Sequence, residues 1–343
     1  MVTIKEVARL AGVSIATVSR VVNGYAHVRP EMRDAVNRAI DTLGYRRNGL
    51  ASSFRTQQSN IVGVLLRQQR TPFSSALAYA IETTMFDQGY RVLLCSTNGD
   101  PDREQAYIET MLDMRAQGVI IRPSGAAART ARNVERLRDQ GIAITFVDMK
   151  PSIPATSAVV CDNFSGGYEG MRHLIGLGHR RIGIVAGSLA QKGGSQDVGS
   201  ERVRGIRAAA RDLAPDVVPI FSPPFDQSSF ETGRESGAEM IAHNPDMTAI
   251  FATTDMLAIG VMHAAYAMGR TLPRDLSILG YDGVMESAVT FPTLSTIAQP
   301  IHEMGEIAAQ TLIDHMQDTT RAPRQVMLEN TLIERASTIP LAN

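Results

Sequence analysis

The sequence predicts an α/β chain in three parts: a small helical head, a short polar linker, and a body of two lobes, each built on a parallel sheet. Three observations carry this. From residue 61 onward, short apolar runs alternate with amphipathic stretches, the pattern of strand–helix units that put helices on both faces of a parallel sheet. Residues 1–58 instead hold only short helical stripes, with nine basic residues against four acidic ones, a surplus of +5 in a chain whose net charge is −1. Finally, 343 residues are too many for one simple core and imply several domains.

The head comes first. Thr3-Ile4-Lys5-Glu6 fits a capping box, with Thr3 as N-cap and Glu6 reaching back. Ile4, Val7 and Ala8 form the stripe of a first helix, and Ala11-Gly12-Val13 makes a turn. Ser14 can cap a second helix whose inward stripe is Val18, Val21 and Val22, with Asn23-Gly24 as its stop. A third helix runs over about 30–43, with Pro30 in its first turn and Gly44 at its end. Two short helices joined by a glycine-containing turn read as a helix-turn-helix. With the valines inward, Ile15, Ala16, Ser19 and Arg20 remain outside. Short side chains let a helix approach a groove closely, hydroxyls can bond phosphates, and arginine can bond a guanine edge with two hydrogen bonds. The alternative is a three-helix module that binds protein; the basic surplus favours a polyanion partner for the head.

"VTIKEVARLAGVSIATVSRVVNG" resembles, without a gap, the DNA-binding head of the lactose-repressor (LacI/GalR) family of bacterial transcription regulators. The resemblance implies that Ile15, Ala16 and Arg20 face base edges, and that Ser14, Thr17, Ser19 and Asn23 hold the backbone. It continues through "LGYRRNGLASSFRT", which resembles the family's hinge helix. Here the chain departs from the pattern. Arg47 stands where the family usually has proline, Gly49 where it has alanine and Ser52 where it has arginine. Phe54 takes the place of the leucine wedge that enters the minor groove; an aromatic can still unstack a base step. Gly49 lowers helix propensity by about 1 kcal/mol against alanine, so the hinge is expected to be disordered off DNA and to fold on it. Arg46, Arg47 and Arg55 would supply phosphate contacts.

In the body, "IVGVLL", "RVLLCS", "GVIIR" and "IAITFVD" (the last at 142–148) read as the strands of a first set. "RIGIVAG", "VVPIFS", "AIFATT" and "SILGYD" follow a second start near Asp162. "CDNFSGGYEGMRHLIGLGHRRIGIVAG", "FATTDMLAIGVMHAA" and "LPRDLSILGYDG" resemble the same family, so the resemblance covers essentially the whole chain. It implies a two-lobed body like that of periplasmic binding proteins, a homodimer reading a pseudo-palindromic double-stranded DNA operator, and a small sugar-like effector between the lobes. The expected boundaries are 1–45 for the head and 46–59 for the hinge and linker. The first lobe would take 60–161 plus about 293–325, and the second 162–292 plus about 326–343.

Residue by residue, the resemblance places effector contacts at Phe73, with Ser74 beside it, Arg202, Phe225 and Asp282; Arg122 joins these candidates from its place after a first-lobe strand. Asp162, Asn163 and Asp255 are expected to bond loop backbone near the lobe crossover. Arg67, Arg70, Arg122 and Lys150 follow first-lobe strands, with Arg202 opposite. Paired cations there would suit a carboxylate or phosphate, hence a sugar acid or sugar phosphate; the alternative is that most of these side chains point into solvent or the dimer interface.

Other classes find little support. Lys192-Gly193 is in the wrong order for a phosphate loop, and "GIVAGSLAQ" lacks the glycine spacing of a dinucleotide fingerprint. His173 and His179, six apart, do not share a helical face, so no metal cluster, cofactor or enzyme chemistry is expected. Met256, Met262 and Met268 read as helix packing. Two cysteines do not make a disulfide framework, and reduced buried thiols are expected. No run of eighteen apolar residues and no signal core occur, so no membrane partner and a cytoplasmic location are expected. A solute-binding protein and an α/β enzyme are the rival readings.

Overall fold

A computed structural model describes residues 2–22, 25, 27–45, 59–68, 70–124, 127–149, 153–187, 198–223, 225 and 227–341. The chain divides into two compact units, 1–59 and 60–343.

The first unit holds α1 (Ile4–Ala11), α2 (Ile15–Val22) and α3 (Pro30–Leu43). The capping box at Thr3 and Glu6 forms as expected: the Thr3 amide donates to Glu6 Oε2 at 2.7 Å, and the Glu6 amide donates to Thr3 Oγ1 at 3.4 Å. Gly12 ends α1 at φ +65°, a left-handed conformation that glycine adopts without a Cβ penalty. Ser14 Oγ accepts from the Thr17 amide at 3.0 Å and starts α2. Val7, Ala8, Val18, Val36 and Ala39 form the core, with Val21 and Val22 half-buried against it.

The second unit contains β1 (Ile61–Leu66), α4 (Pro72–Asp87), β2 (Arg91–Ser96), α5 (Pro101–Asp113), β3 (Gly118–Ile121), α6 (Ala127–Asp139), β4 (Ala143–Val147) and β5 (Ser157–Cys161). Then come α7 (Asn163–Gly176), β6 (Ile182–Val185), α8 (Val198–Leu213), β7 (Ile220–Phe221), α9 (Phe230–His243), β8 (Ala249–Ala252), α10 (Asp255–Ala267) and β9 (Ser277–Asp282). The chain finishes with α11 (Met285–Val289), β10 (Ser295–Ala298), α12 (Ile301–Gln317), β11 (Gln325–Leu328) and β12 (Thr331–Ile333).

These strands form two six-stranded sheets, ordered β11-β5-β4-β3-β1-β2 and β12-β10-β9-β8-β6-β7. Every pairing is parallel except that of β12 with β10. Both faces of each sheet are covered. On the first, Val62, Val64 and Ile120 pack with α4 and α12, while Leu65, Val119 and Ile121 pack with α5 and α6. Strands buried on both sides read as continuous apolar runs, as "IVGVLL" does.

Three details differ from the sequence reading. Strand β5 adds a fifth parallel strand to the first sheet after "IAITFVD". Strand β10 belongs to the second sheet, Thr296 pairing with Gly280, although the boundary near 293 would put it in the first lobe. Strand β11 belongs to the first sheet, Val326 pairing with Val159, although 326–343 would be second lobe. All three are short apolar segments. Their sheet is decided by register against distant strands, which local periodicity does not encode. The chain therefore passes between sheets after Cys161, after Ala298 and after Leu328.

Candidate functional site

On the first unit, the fully buried Val18 fixes the rotation of α2 about its axis. Ser14, Ile15, Ala16 and Arg20 are then exposed, while Thr17 and Ser19 are half-buried. The Ser14 and Thr17 hydroxyls stand 2.9 Å apart and bond each other at the helix start. Leu10 and Tyr25 are exposed as well, and the sequence reading gave neither a role. The signal for Tyr25 was an aromatic inside the polar stretch "NGYAHVRP". Asn23, Arg46, Arg47, Gly49, Ser52, Phe54 and Arg55 lie outside the described residues, as does the hinge expectation built on them.

In the second unit, the carboxyl ends of the two parallel sheets meet at an open cleft of about 180 Å³, the place where such sheets bind ligands. Phe73, Ser74, Arg122, Arg202, Phe225 and Asp282 all line it. Phe73 and Ser74 occupy the first turn of α4, where Thr71 caps the helix by accepting from the Ser74 amide at 3.3 Å. Arg122 leaves the end of β3 and Asp282 ends β9.

Arg202 lies on the second-lobe floor, almost wholly buried. Its Nε donates to Asn163 Oδ1 at 2.8 Å, and its Nη1 donates to the Thr253 carbonyl at 2.7 Å and to Asp282 Oδ1 at 3.2 Å. The guanidinium also stacks 3.7 Å above the Tyr281 ring. The "GGYEG" run explains the close fit: a side chain on Gly167 would collide with the backbone carbonyl of Arg202. Burial pushes the Asp282 carboxyl well above the usual carboxylate range; Arg202 pulls it back and Asp148 pushes it further. Asp255 behind it is raised likewise by burial and by Asp282, and is held by Thr296 Oγ1 at 2.6 Å and the Val284 amide at 2.9 Å. Asp162 accepts from the Ser165 amide and Asn163 donates to the Cys161 carbonyl, so these three residues bond loops and neighbours near the crossover.

The cation cluster is corrected by this geometry. Arg122 forms an ion pair with Asp148, and Arg202 with Asp282. Arg67 lines the cleft with its guanidinium against Gly99. Arg70 is not part of the lining, and Lys150 lies outside the described residues. The sequence reading counted the arginines but missed their partner Asp148. The signal was available, because "IAITFVD" ends its strand in aspartate as "SILGYD" does. Asp148 and Asp282 both sit at positive φ, +63° and +114°, the kind of backbone strain that clusters at binding sites. Gln299, Thr253 and Gln227 also line the cleft unforeseen, and Met256 lines it instead of serving only helix packing. Cys95 and Cys161 are free and buried, their thiols pushed up to about 11 and about 12 by desolvation. Among the described residues no group of His, Cys, Asp and Glu could hold a metal ion, and no helix is long and apolar enough to cross a membrane.

Residues 3–48 match the model for bacterial regulatory proteins of the lacI family, and residues 171–338 match the periplasmic binding protein-like domain. The HTH-type transcriptional regulator DegA of Bacillus subtilis (strain 168) is 32% identical over 99% of this chain and 98% of its own length. The lac repressor dimer, solved bound to operator and the anti-inducer ONPF, is 25% identical with a TM-score of 0.84, covering 98% of this chain and 99% of that one. A LacI family transcriptional regulator from Enterococcus faecium, solved with bound ribose, is 29% identical with a TM-score of 0.72, covering 82% of this chain and 100% of its own. This chain belongs to the lacI family of bacterial regulatory proteins.

Proposed function

We propose that this protein is a dimeric, sequence-specific DNA-binding transcriptional repressor, acting in the cytoplasm and controlled by a sugar-like effector in the inter-lobe cleft. One observation carries the DNA reading: Val18 is sealed in the head core while Ile15, Ala16 and Arg20 face out from the same helix. Arg20 then reads a base edge, Ile15 and Ala16 offer apolar surface to thymine methyls, and Ser14, Thr17, Ser19 and Asn23 hold phosphates. Arg47 and Arg55 add phosphate contacts in the hinge, and Phe54 is the minor-groove wedge. A two-fold dimer presents two such heads to two half-sites; the lac repressor was solved as a dimer on its operator.

Phe73, Ser74, Arg122, Arg202, Phe225 and Asp282 are the effector contacts in this reading, supported by their convergence on one cleft. The cleft is walled by both lobes, and the chain crosses between sheets after residues 161, 298 and 328. An effector that prefers one inter-lobe angle therefore shifts operator affinity by linkage, with a coupling of about 1–3 kcal/mol. No catalytic role is part of this proposal.

A gel shift on the chain's own upstream region, with and without residues 1–58, tests it. Retarded DNA with the full chain and none with the truncated one is the expected result. Equal retardation by both, or by neither, would remove the head from the account.

A further inference from the structure

We infer that the Tyr281 hydroxyl and the Asn330 side-chain amide join the three inter-lobe crossings into one network with Arg202, and that these two positioning residues pass a displacement of Arg202 on to the crossings. This rests on reading the lobe angle as the quantity that the protein switches.

Connectivity is the first reason. The chain passes between the sheets at three places, and each is linked to Arg202 by its own route. At the first crossing, Asn163 Oδ1 accepts from Arg202 Nε at 2.8 Å. At the second, Gln299 Nε2 donates to Asp282 Oδ1 at 2.9 Å, the same oxygen that accepts from Arg202 Nη1 at 3.2 Å. The third is reached through Tyr281. Its ring lies 3.7 Å from the guanidinium, and its hydroxyl accepts from Asn330 Nδ2 at 3.0 Å. That hydroxyl donates in turn to Asn163 Oδ1 at 3.4 Å, and Asn330 Nδ2 also donates to the Asp162 carbonyl at 2.7 Å. One hydroxyl and one amide therefore tie the third crossing both to the first and to the floor arginine.

Burial is the second. Asn163, Arg202, Tyr281, Asp282 and Gln299 are all more than nine-tenths buried. A group bonded in such an interior cannot replace a lost partner with water, so displacing one member is felt by the next. The space is closed as well: a side chain on Gly166 would collide with the Tyr281 hydroxyl and with the Asn330 amide. Tyr281 has little room to turn aside when Arg202 moves against its ring.

The backbone is the third. The Asp162 amide donates to the Leu328 carbonyl at 2.9 Å, which bonds the first crossing to the third. The Gln299 amide donates to the Asp282 carbonyl at 3.0 Å, which bonds the second to the strand that carries Tyr281. A change of lobe angle must strain or remake a contiguous set of bonds with members in every crossing. Asn330 and Gln299 belong to different crossings, and Tyr281, Asn163, Arg202 and Asp282 connect them.

The test is amide hydrogen exchange on the full chain, in peptides spanning residues 161–163, 298–300 and 328–330. Wild type is compared with Tyr281→Phe, Asn330→Ala and the double variant. Tyr281→Phe keeps the ring against Arg202 and removes only the hydroxyl. Each single variant is expected to speed exchange in all three peptides by about fivefold or more, with the central strands β3 and β8 unchanged. The double variant is expected to match the singles, because both cut one route. An effect confined to one crossing, an equal acceleration throughout the body, or additive effects in the double variant would overturn the inference. Both single variants should also shift affinity for the upstream duplex by about threefold or more, in the same direction. Faster exchange at the crossings with unchanged duplex affinity would overturn it too. A wild type that binds no duplex counts against the DNA reading alone, and the exchange data then decide this inference by themselves.

Discussion

The head and the cleft are built on opposite plans. In the head, five of the six described candidate contacts lie on one eight-residue helix, with Ser14 just before it, and what matters is which side of that helix faces out. Its polar groups bond neighbours three residues apart, as Ser14 and Thr17 do. In the cleft, Arg202 is held by Asn163, Thr253 and Asp282, separated from it by 39, 51 and 80 residues. The head offers exposed side chains to a partner. The cleft surrounds its partner with groups fixed in advance, at the cost of burying charge. A small core with an exposed reading face should therefore fail by unfolding or by losing contacts. A buried network should fail by leaving a charge alone.

That contrast can be broken most severely at Asp282. Asp282→Ala leaves the Arg202 guanidinium buried without its carboxylate, and removing one member of a buried pair costs about 3–5 kcal/mol. Urea unfolding of the body should report that loss, with the head's unfolding untouched. Val18→Ala is the matching cut in the head. It removes part of a fully buried side chain from a five-residue core and should cost about 2 kcal/mol. The head should then melt early while the body's transition stays in place; a common shift of both would mean the two units are not independent. Arg122→Ala is milder, because Arg122 has a single carboxylate partner and is partly exposed. Because the truncation leaves the buried Asp148 carboxylate without its cation, stability should fall by about 2 kcal/mol, short of the loss for a fully buried pair, while calorimetry shows weaker effector binding.

The smallest effect sharpens the comparison within the body. His179 bonds Thr248 and the Ile339 carbonyl, and His173 bonds Thr338, so the two rings tie the C-terminal segment to the second lobe. Burial holds both imidazoles below their usual pKa. A depressed histidine contributes stability above its unfolded value, about 6.5, and loses it as pH falls through the folded value. The Tm advantage of the wild type over His179→Asn should shrink as pH falls below about 6.5. A widening gap would reverse the sign of this account.

Legibility followed the same division. The head was readable because each signal is local: a capping box at Thr3, a left-handed glycine at 12, a valine stripe at helical spacing. The strand–helix alternation of the body was readable for the same reason. What escaped was anything decided by distant pairing. Strands β10 and β11 are short runs whose sheet depends on partners elsewhere in the chain. Arg122 looked like an available cation because Asp148, 26 residues away, contacts it only once β3 and β4 lie side by side. Gln299 carried no signal at all, since its bond to Asp282 exists only once β9 and β10 lie side by side.

The most direct test compares the intact protein with Arg20→Ala on its upstream duplex and on a scrambled duplex, across a salt titration. A bidentate arginine–guanine contact is worth about 1–3 kcal/mol of discrimination, whereas phosphate contacts set the salt slope. The account expects Arg20→Ala to lose much of its preference for the upstream duplex while keeping nearly the same salt slope. Preserved preference in the variant, or an intact protein that binds both duplexes equally, would contradict it.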